Sequence, residues 1–307
     1  MEGFVMRSTG SWYIVKAENG QKYDCRLRGK FKQQGMKINN PIAVGDYVTI
    51  EPEAGDATKA LITEILPREN YIIRKSVHKS AFGHILAANL DQAVLVATLF
   101  YPRTSLGFID RFLVKAESFR IPVVLVFNKT DLLEPDERAY QQELGAMYES
   151  VGYGVIETST VQNLGIEAFA QVLENKKTLI AGHSGVGKSS LVNEIAPHLQ
   201  LRTSVISDFS QKGTHTTTFA EMFEITPGTY LVDSPGIKEL GMIDMAKEEI
   251  SHYFPEMRDL LNACKYHNCL HVNEPQCAVI QAVDDQKIAL TRYESYLSML
   301  EDHDNRR

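Results

Sequence analysis

The chain of 307 residues lacks most features of membrane, secreted and strongly basic proteins. No apolar run approaches the roughly 20 residues that a helix needs to span a bilayer. The first residues show no basic, apolar and small-residue regions in the order of a signal peptide. Four cysteines, three of them between 264 and 277, are too unevenly spread for a disulfide framework. The formal net charge of −7 does not indicate nucleic-acid binding by the chain as a whole. We therefore expect a cytoplasmic protein of about two or three domains, without membrane contact.

The clearest motif present is the stretch Gly182–Ser189, with the sequence GHSGVGKS. It has the spacing of a phosphate-binding loop, follows an apolar run and precedes a predicted helix over 190–196. Such a loop aims backbone N–H groups and a helix N-terminus at phosphate oxygens. Lys188 is expected to reach the β- and γ-phosphates, and the Ser189 hydroxyl to complete a Mg²⁺ shell. The predicted nucleotide contacts here are Gly182, Ser184, Gly185, Val186, Gly187, Lys188, Ser189 and Ser190.

The first 70 residues predict a small β domain. Short alternating runs over 11–16 and 46–50 are separated by glycines, which favours an antiparallel barrel or sandwich. Basic residues gather between 21 and 37 with two aromatic residues among them. Two interpretations stay open, an RNA-binding face and a solvated charged face. The basic residues are Lys22, Arg26, Arg28, Lys30, Lys32 and Lys37.

From about residue 71 the pattern changes to an alternation of strands and helices. Continuous apolar runs over 93–97 and 122–127 are typical of parallel strands buried on both faces. Helices are predicted over 105–119, 137–151 and 165–173, with a strand over 154–158. This alternation predicts a mostly parallel sheet covered by helices, with its ligands at the carboxyl ends of the strands.

The tetrad Asn128-Lys129-Thr130-Asp131 lies at one such strand end. The two carboxylate oxygens of Asp131 match the two N–H donors of guanine, while the stem of Lys129 covers the ring. Adenine offers no such donor pair, so an unpaired carboxylate opposes its binding. We predict guanine binding by Asn128, Lys129 and Asp131, with Ser159, after the next strand, in a supporting loop.

Two segments after the phosphate loop predict a nucleotide switch. Asp233 ends a predicted strand and begins Asp-Ser-Pro-Gly, so it is expected to hold Mg²⁺ through water, and the Gly236 N–H to bond the γ-phosphate. Earlier, Thr216, Thr217 and Thr218 each offer a hydroxyl to the metal. We favour Thr217.

The γ-phosphate needs a group that orients the attacking water. The residue after Gly236 is Ile237, which cannot do this. His215 is the candidate, because a neutral imidazole nitrogen accepts a proton from water. We therefore predict His215, Lys188 and Thr217 as catalytic. The alternative is that His215 contacts RNA or packs within its loop.

The order of the motifs is unusual, because ordinary guanine-nucleotide switch proteins have the phosphate loop before the base-reading tetrad. Here the tetrad comes first. A circular permutation of the fold gives this order and leaves the sheet and site unchanged.

A zinc site is predicted near the C-terminus by Cys264, Cys269, His271 and Cys277. Three thiolates and an imidazole suit tetrahedral Zn²⁺ and leave no open position, so the site should be structural. His267 is an alternative to His271. A helix is predicted over 281–300.

Together and in this order, these motifs closely resemble those of one family, the ribosome small-subunit-dependent GTPases called RsgA or YjeQ, which are circularly permuted. The resemblance covers nearly the whole chain. It implies a multidomain fold with an N-terminal all-β barrel of the OB type that binds RNA (1–70), a central α/β circularly permuted P-loop GTPase domain (71–240) and a C-terminal α-helical zinc-binding module (241–307).

The resemblance also implies a function. Such a factor binds the small ribosomal subunit and its rRNA during late maturation, hydrolyses GTP slowly alone and faster on the subunit, and then leaves. The expected ligands are GTP or GDP, Mg²⁺ and one structural Zn²⁺, and we expect a monomer. Two alternatives stay open: a GTP-gated RNA-binding scaffold whose hydrolysis is incidental, and a P-loop phosphotransferase.

Overall fold

The computed structural model describes residues 1–9, 11–28, 41–76, 79–199, 221–233 and 245–301. The chain folds into two compact units. The first contains Met1–Val94 and Ile166–Glu239, and the second contains Leu95–Gly165 and Leu240–Arg307. The predicted boundaries at 70 and 240 stay predictions. Among the described helices, none combines the length and apolar character that crossing a bilayer requires.

The described strands are β1 (Glu2–Ser8), β2 (Tyr13–Ala17), β3 (Lys22–Leu27), β4 (Tyr47–Pro52), β5 (Lys59–Ile65), β6 (Tyr71–Ser76), β7 (Lys79–Ala88), β8 (Gln92–Ala97), β9 (Val123–Asn128), β10 (Gly154–Thr158), β11 (Lys177–Ala181), β12 (Glu221–Thr226) and β13 (Thr229–Asp233). The described α-helices are α1 (Leu106–Ser118), α2 (Pro135–Ser150), α3 (Ile166–Leu173), α4 (Lys188–Ile195), α5 (Lys247–Ile250), α6 (Pro255–Arg258), α7 (Ala278–Asp284) and α8 (Leu290–Leu300).

Strands β1 to β5 close into a barrel, which confirms the predicted OB-type domain. The strands follow the order β1-β2-β3-β5-β4, and β4 returns to pair with β1. Side chains alternate along each strand between the barrel core and its outer face, as the pleat requires. The core includes Val5, Tyr13, Val15, Cys25, Val48, Ile50 and Ile62.

A buried ion pair fixes the way in which the chain leaves the barrel. Arg68 contacts both carboxylate oxygens of Asp46 at 2.5 and 2.6 Å, and Asp46 is fully buried. Beside it, Gly45 has a φ of +91°, and a Cβ there would lie 2.0 Å from the carbonyl oxygen of Ala88. Only glycine fits at this close contact between residue 45 and the backbone of Ala88. The approach places the barrel against the hairpin β6–β7, which the sequence pattern did not predict.

The barrel continues into the sheet that carries the phosphate loop. Within the first unit the sheet order is β11-β13-β12-β1, with β11 parallel to β13 and β12 antiparallel to it. Arg7 of β1 pairs with Glu221 of β12, and Lys16 of β2 forms a 2.5 Å ion pair with Glu224. The barrel and these strands therefore form one sheet.

The second unit contains the parallel pair β9 and β10 with helices α1 and α2. Ser105 caps α1 by accepting from the Phe108 N–H, and Glu134 with Glu137 forms a capping box on α2, whose first residue is Pro135. The helices predicted over 105–119, 137–151 and 165–173 are confirmed within two residues at each end.

The single helix predicted over 281–300 is wrong, because α7 and α8 are separate. Gln286 has a φ of +58°, and the Lys287 N–H donates to the Ala282 carbonyl at 2.8 Å, which ends α7 in a left-handed cap. The break turns Ile288 into the core. Leu290, the first residue of α8, is 60% exposed.

A buried arginine joins helices α1, α6 and α8. Arg292 is fully buried, contacts Asp110 of α1 at 2.7 Å and Glu256 of α6 at 2.7 and 3.1 Å, and lies over the ring of Phe254. Tyr148 of α2 donates its hydroxyl to the same Asp110 oxygen at 2.9 Å. Removal of one partner from such a network leaves an uncompensated buried charge.

We expect Arg292→Met to lower the free energy of unfolding of the second unit by about 3–5 kcal/mol. The control is Arg258→Met, because Arg258 pairs with Glu117 at 3.3 Å but is half exposed, and such a pair contributes about 1 kcal/mol or less. Urea unfolding followed by far-UV circular dichroism measures both. Equal, small losses in the two variants would contradict the prediction.

Candidate functional site

The predicted phosphate loop lies between strand β11 and helix α4. Every residue of β11 is buried, and α4 begins at Lys188. Gly182, Gly185 and Gly187 have φ values of +139°, +83° and +96°, in the region where a Cβ is disfavoured. The strand, the glycine turn and the helix N-terminus therefore have the arrangement that presents backbone N–H groups to an anion.

The side chain of Lys188 is held against this loop. Its Nζ donates to the carbonyl oxygens of Gly182 at 2.8 Å and of His183 at 2.7 Å. Lys188, Ser189 and Val186 are buried, Ser190 is half-buried, and Ser184 and Gly185 are exposed. The ammonium group is thus held against the backbone at the start of the loop.

The tetrad at the end of β9 is fixed by strand β10. Asn128 pairs in register with Thr158, whose hydroxyl donates to the Asn128 side-chain oxygen at 2.9 Å. The Thr130 hydroxyl donates to the Thr158 carbonyl at 3.2 Å. Lys129 has a φ of +63°, and its Nζ donates to the carbonyl of Tyr101 at 3.2 Å. The sequence did not predict the Tyr101 contact.

Ser159 lies at Asp131, as the prediction of a supporting loop requires. Its hydroxyl donates to one carboxylate oxygen of Asp131 at 2.6 Å and accepts from the Gln162 N–H at 3.0 Å. Ser159 is fully buried, whereas Asp131 is half-buried. The buried Ser159 therefore fixes the orientation of the Asp131 carboxylate, which remains partly exposed.

The predicted switch residues are only partly described. Asp233 is the last residue of β13 and pairs with Glu221. His215, Thr216, Thr217, Thr218, Gly236 and Ile237 lie outside the described residues.

Four ligand atoms of the predicted zinc site come together in the second unit. The ligand atoms of Cys264, Cys269, His271 and Cys277 all lie within 4.8 Å of one another. His271 Nδ1 is 3.6 Å from the Cys264 sulfur and 3.3 Å from the Cys277 sulfur, and the two sulfurs are 3.9 Å apart. Tetrahedral zinc with bonds of about 2.3 Å to sulfur requires about 3.8 Å between sulfurs, so the cluster fits this ion. His267 is exposed and lies outside the cluster.

The ligand loop is held by groups that the sequence did not single out. The Glu274 carboxylate accepts from the N–H groups of Leu270, Val272 and Asn273. Burial alone would raise the pKa of Glu274, but these bonds hold it at about 2. Tyr293 and Tyr296 of α8 donate to the carbonyls of His271 and Leu270 at 2.7 and 2.6 Å. Such outer contacts orient metal ligands.

The titration of the ligands suits a metal ion. Burial lowers the pKa of His271, so its imidazole is neutral at pH 7 and can offer Nδ1. Burial raises the pKa of the Cys269 thiol to about 12, so metal binding there must release a proton.

Comparison with known proteins identifies relatives along the whole chain. A family model described as RsgA GTPase matches residues 65–243, and one described as RsgA N-terminal domain matches residues 2–62. The Small ribosomal subunit biogenesis GTPase RsgA of Cytophaga hutchinsonii is 51% identical over 307 residues, covering 100% of both chains. The protein of the same name from Phocaeicola vulgatus is 49% identical over 302 residues, covering 98% of this chain and 97% of that one.

Two solved structures share the fold. YjeQ from Thermotoga maritima superposes with a TM-score of 0.82 at 36% identity, covering 100% of this chain and 99% of that one. YloQ, described as a circularly permuted GTPase, gives a TM-score of 0.76 at 30% identity, with 100% and 96% covered. The circular permutation predicted from the motif order is thereby confirmed.

We expect one zinc ion per chain, lost when Cys264 and Cys277 are both replaced by serine. Because the metal would hold the loop 264–277, whose backbone accepts from Tyr293 and Tyr296 of α8, metal loss should melt this region locally. Metal analysis and hydrogen exchange of 245–301 measure the two effects. Cys25→Ala is the control, since Cys25 lies in the barrel core and should leave zinc content unchanged. Full zinc occupancy in the double variant would contradict the assignment.

Proposed function

The chain belongs to the RsgA GTPase family, and we propose that this GTPase acts in late maturation of the small ribosomal subunit. The supporting observation is that relatives named small ribosomal subunit biogenesis GTPase match this chain over 97–100% of their own length. In this proposal the protein works as a cytoplasmic monomer. The barrel contacts rRNA, and the subunit accelerates GTP hydrolysis.

Each nucleotide-binding role is assigned to a separate element. The loop Gly182–Ser190 holds the phosphates, with Lys188 neutralising the β- and γ-phosphates. Ser189, Thr217 and Asp233 would hold Mg²⁺, which supplies charge neutralisation at the transferred phosphoryl group. Asp131 reads the two guanine donors, and Ser159 keeps its carboxylate in position. Asn128 and Lys129 complete the base site, and Gly236 bonds the γ-phosphate.

Hydrolysis depends on a residue that orients water. Ile237 stands where many switch GTPases have glutamine, so we assign this role to His215. A partner that binds best to the state in which His215 orients water would shift the protein towards that state. Slow turnover alone and fast turnover on the subunit follow from this.

We expect Asp131→Asn to weaken GTP binding on the order of 100-fold and to favour xanthosine triphosphate. Asparagine presents a donor where guanine also has a donor, whereas xanthine has an acceptor there. Titration with both nucleotides measures the exchange of preference. Asp136→Asn, at an exposed acid in the first turn of α2, is the matched control and should bind GTP normally. Unchanged GTP affinity in Asp131→Asn would refute guanine reading by this residue.

The proposed function is tested by co-sedimentation with purified small and large ribosomal subunits, in a GTP analogue and in GDP. We expect binding to the small subunit with the analogue, release with GDP, and GTP turnover that rises when small subunits are added. His215→Ala should keep both binding activities and lose most of the stimulated rate. If the wild type binds neither subunit, or is not stimulated, the proposal fails. If small subunits stimulate His215→Ala as well as the wild type, only the assignment of water orientation to His215 is refuted.

A further inference from the structure

One aromatic side chain of the barrel is exposed, and packing within the barrel core does not explain its position. Trp12, the single tryptophan of the chain, is 39% exposed although it is the largest apolar side chain available for a core. It lies just before β2, at the end of the hairpin from β1. The Thr9 N–H and hydroxyl both donate to its carbonyl, at 2.9 and 3.1 Å, so the backbone that carries the ring is fixed.

A guanidinium group stacks on this exposed ring. The Arg26 Cζ lies 3.7 Å from the centroid of the Trp12 ring. The β2–β3 register explains the contact, because Tyr13 faces Cys25 and the next pair outward is Trp12 with Arg26. Tyr13 and Cys25 point into the barrel core, so Trp12 and Arg26 share the outer face. Both members of the pair are exposed.

The pair has one apolar neighbour across the sheet, and two acids lie one step further away on the same face. Leu61 of β5 is the cross-strand neighbour of Arg26, and it is half-buried. Arg28 follows two positions along the same face and contacts Glu51 at 2.7 Å. Asp24, the acid on this part of β3, is opposite Ile14 and thus further from the hairpin. An aromatic ring that carries a stacked cation is thus exposed beside one apolar side chain.

We propose that Trp12 and Arg26 form a platform on which an unpaired RNA base stacks. The face of strands 2 and 3 is where OB-type barrels bind oligonucleotides. Every base has a π-face that stacks on aromatic and guanidinium planes, and Arg26 places a positive charge where the adjoining phosphate runs. As a purely structural pair, an exposed cation–π contact would stabilise the barrel only slightly. The inference rests on the proposed function, since it names an RNA contact for the barrel.

The single tryptophan makes the test direct. Full-length protein is titrated with a 12-nucleotide single-stranded RNA of mixed sequence and with the same RNA as a duplex. We expect saturable quenching of Trp12 fluorescence by the single strand and little by the duplex. Anisotropy of fluorescein-labelled RNA then compares variants. Trp12→Ala and Trp12→Leu should each weaken binding roughly 5- to 150-fold, the range for loss of one stacked base. Trp12→Phe, which keeps an aromatic face, should recover most of the affinity.

Two controls separate stacking from charge and from folding. Arg28→Ala removes a charge from the residue just after β3 and should reduce the slope of log affinity against log salt by about 1, whereas Trp12→Ala should leave that slope unchanged. Tyr140→Ala removes a comparably exposed ring, 43% exposed, from helix α2 and should bind RNA like wild type. Intrinsic GTP turnover should be unchanged in Trp12→Ala, and the midpoint of thermal unfolding should fall by no more than about 4 °C.

The platform is refuted if wild type does not bind the single strand, or if Trp12→Ala and Trp12→Leu bind it as tightly as wild type. It is also refuted if Trp12→Ala loses small-subunit binding but keeps single-strand binding, because the surface then contacts a protein. The proposed function fails separately. Trp12-dependent binding of the single strand without any binding to the small subunit would keep the platform and remove the ribosomal role.

Discussion

A buried ammonium group between two aromatic rings anchors the strand that leads to the phosphate loop. Lys177, the first residue of β11, is 7% exposed, and its Nζ lies 3.8 Å from the ring centroid of Tyr47 and 4.5 Å from that of Phe4. No hydrogen-bond partner for this Nζ is found in the described part of the chain, so the two rings are its main compensation. The rings belong to barrel strands β4 and β1, and the Lys177 N–H donates to Asp91 at 2.6 Å. The start of β11 is therefore fixed to the barrel.

In the second unit, a buried arginine paired with carboxylates, rather than a lysine between aromatic rings, joins the elements. Arg292 satisfies two carboxylates with a rigid fork of donors, which lysine cannot do. It joins α8, which also donates to the metal-ligand loop through Tyr293 and Tyr296, to α1. The metal cluster thus lies within one polar and aromatic network that reaches a helix of the α/β fold. Surface pairs such as Arg28 with Glu51 contribute little by comparison, because both side chains are more than half exposed.

The sequence predicted those parts of the molecule that local chemistry determines. Glycine spacing with a following lysine predicts a phosphate loop, and three cysteines and a histidine predict the metal-ligand cluster. Lys177 and Arg292 were not predicted as buried, because a charged residue is usually exposed and only tertiary partners reverse this. The break between α7 and α8 was missed for a related reason. The apolar spacing continues through it, while the left-handed cap at Gln286 depends on backbone bonds that periodicity does not report.

The tetrad and the phosphate loop are each held by contacts within their own unit. This explains how a permuted order of motifs is compatible with the fold. The tetrad depends on the β9–β10 register and on Thr158 and Ser159, all within the second unit. The phosphate loop depends on β11, its three glycines and the start of α4, all within the first unit. Neither set of contacts depends on the chain segment that links the tetrad to the phosphate loop. The order in which the chain visits them is free to change, provided that each strand keeps its neighbours and that the chain connections remain short.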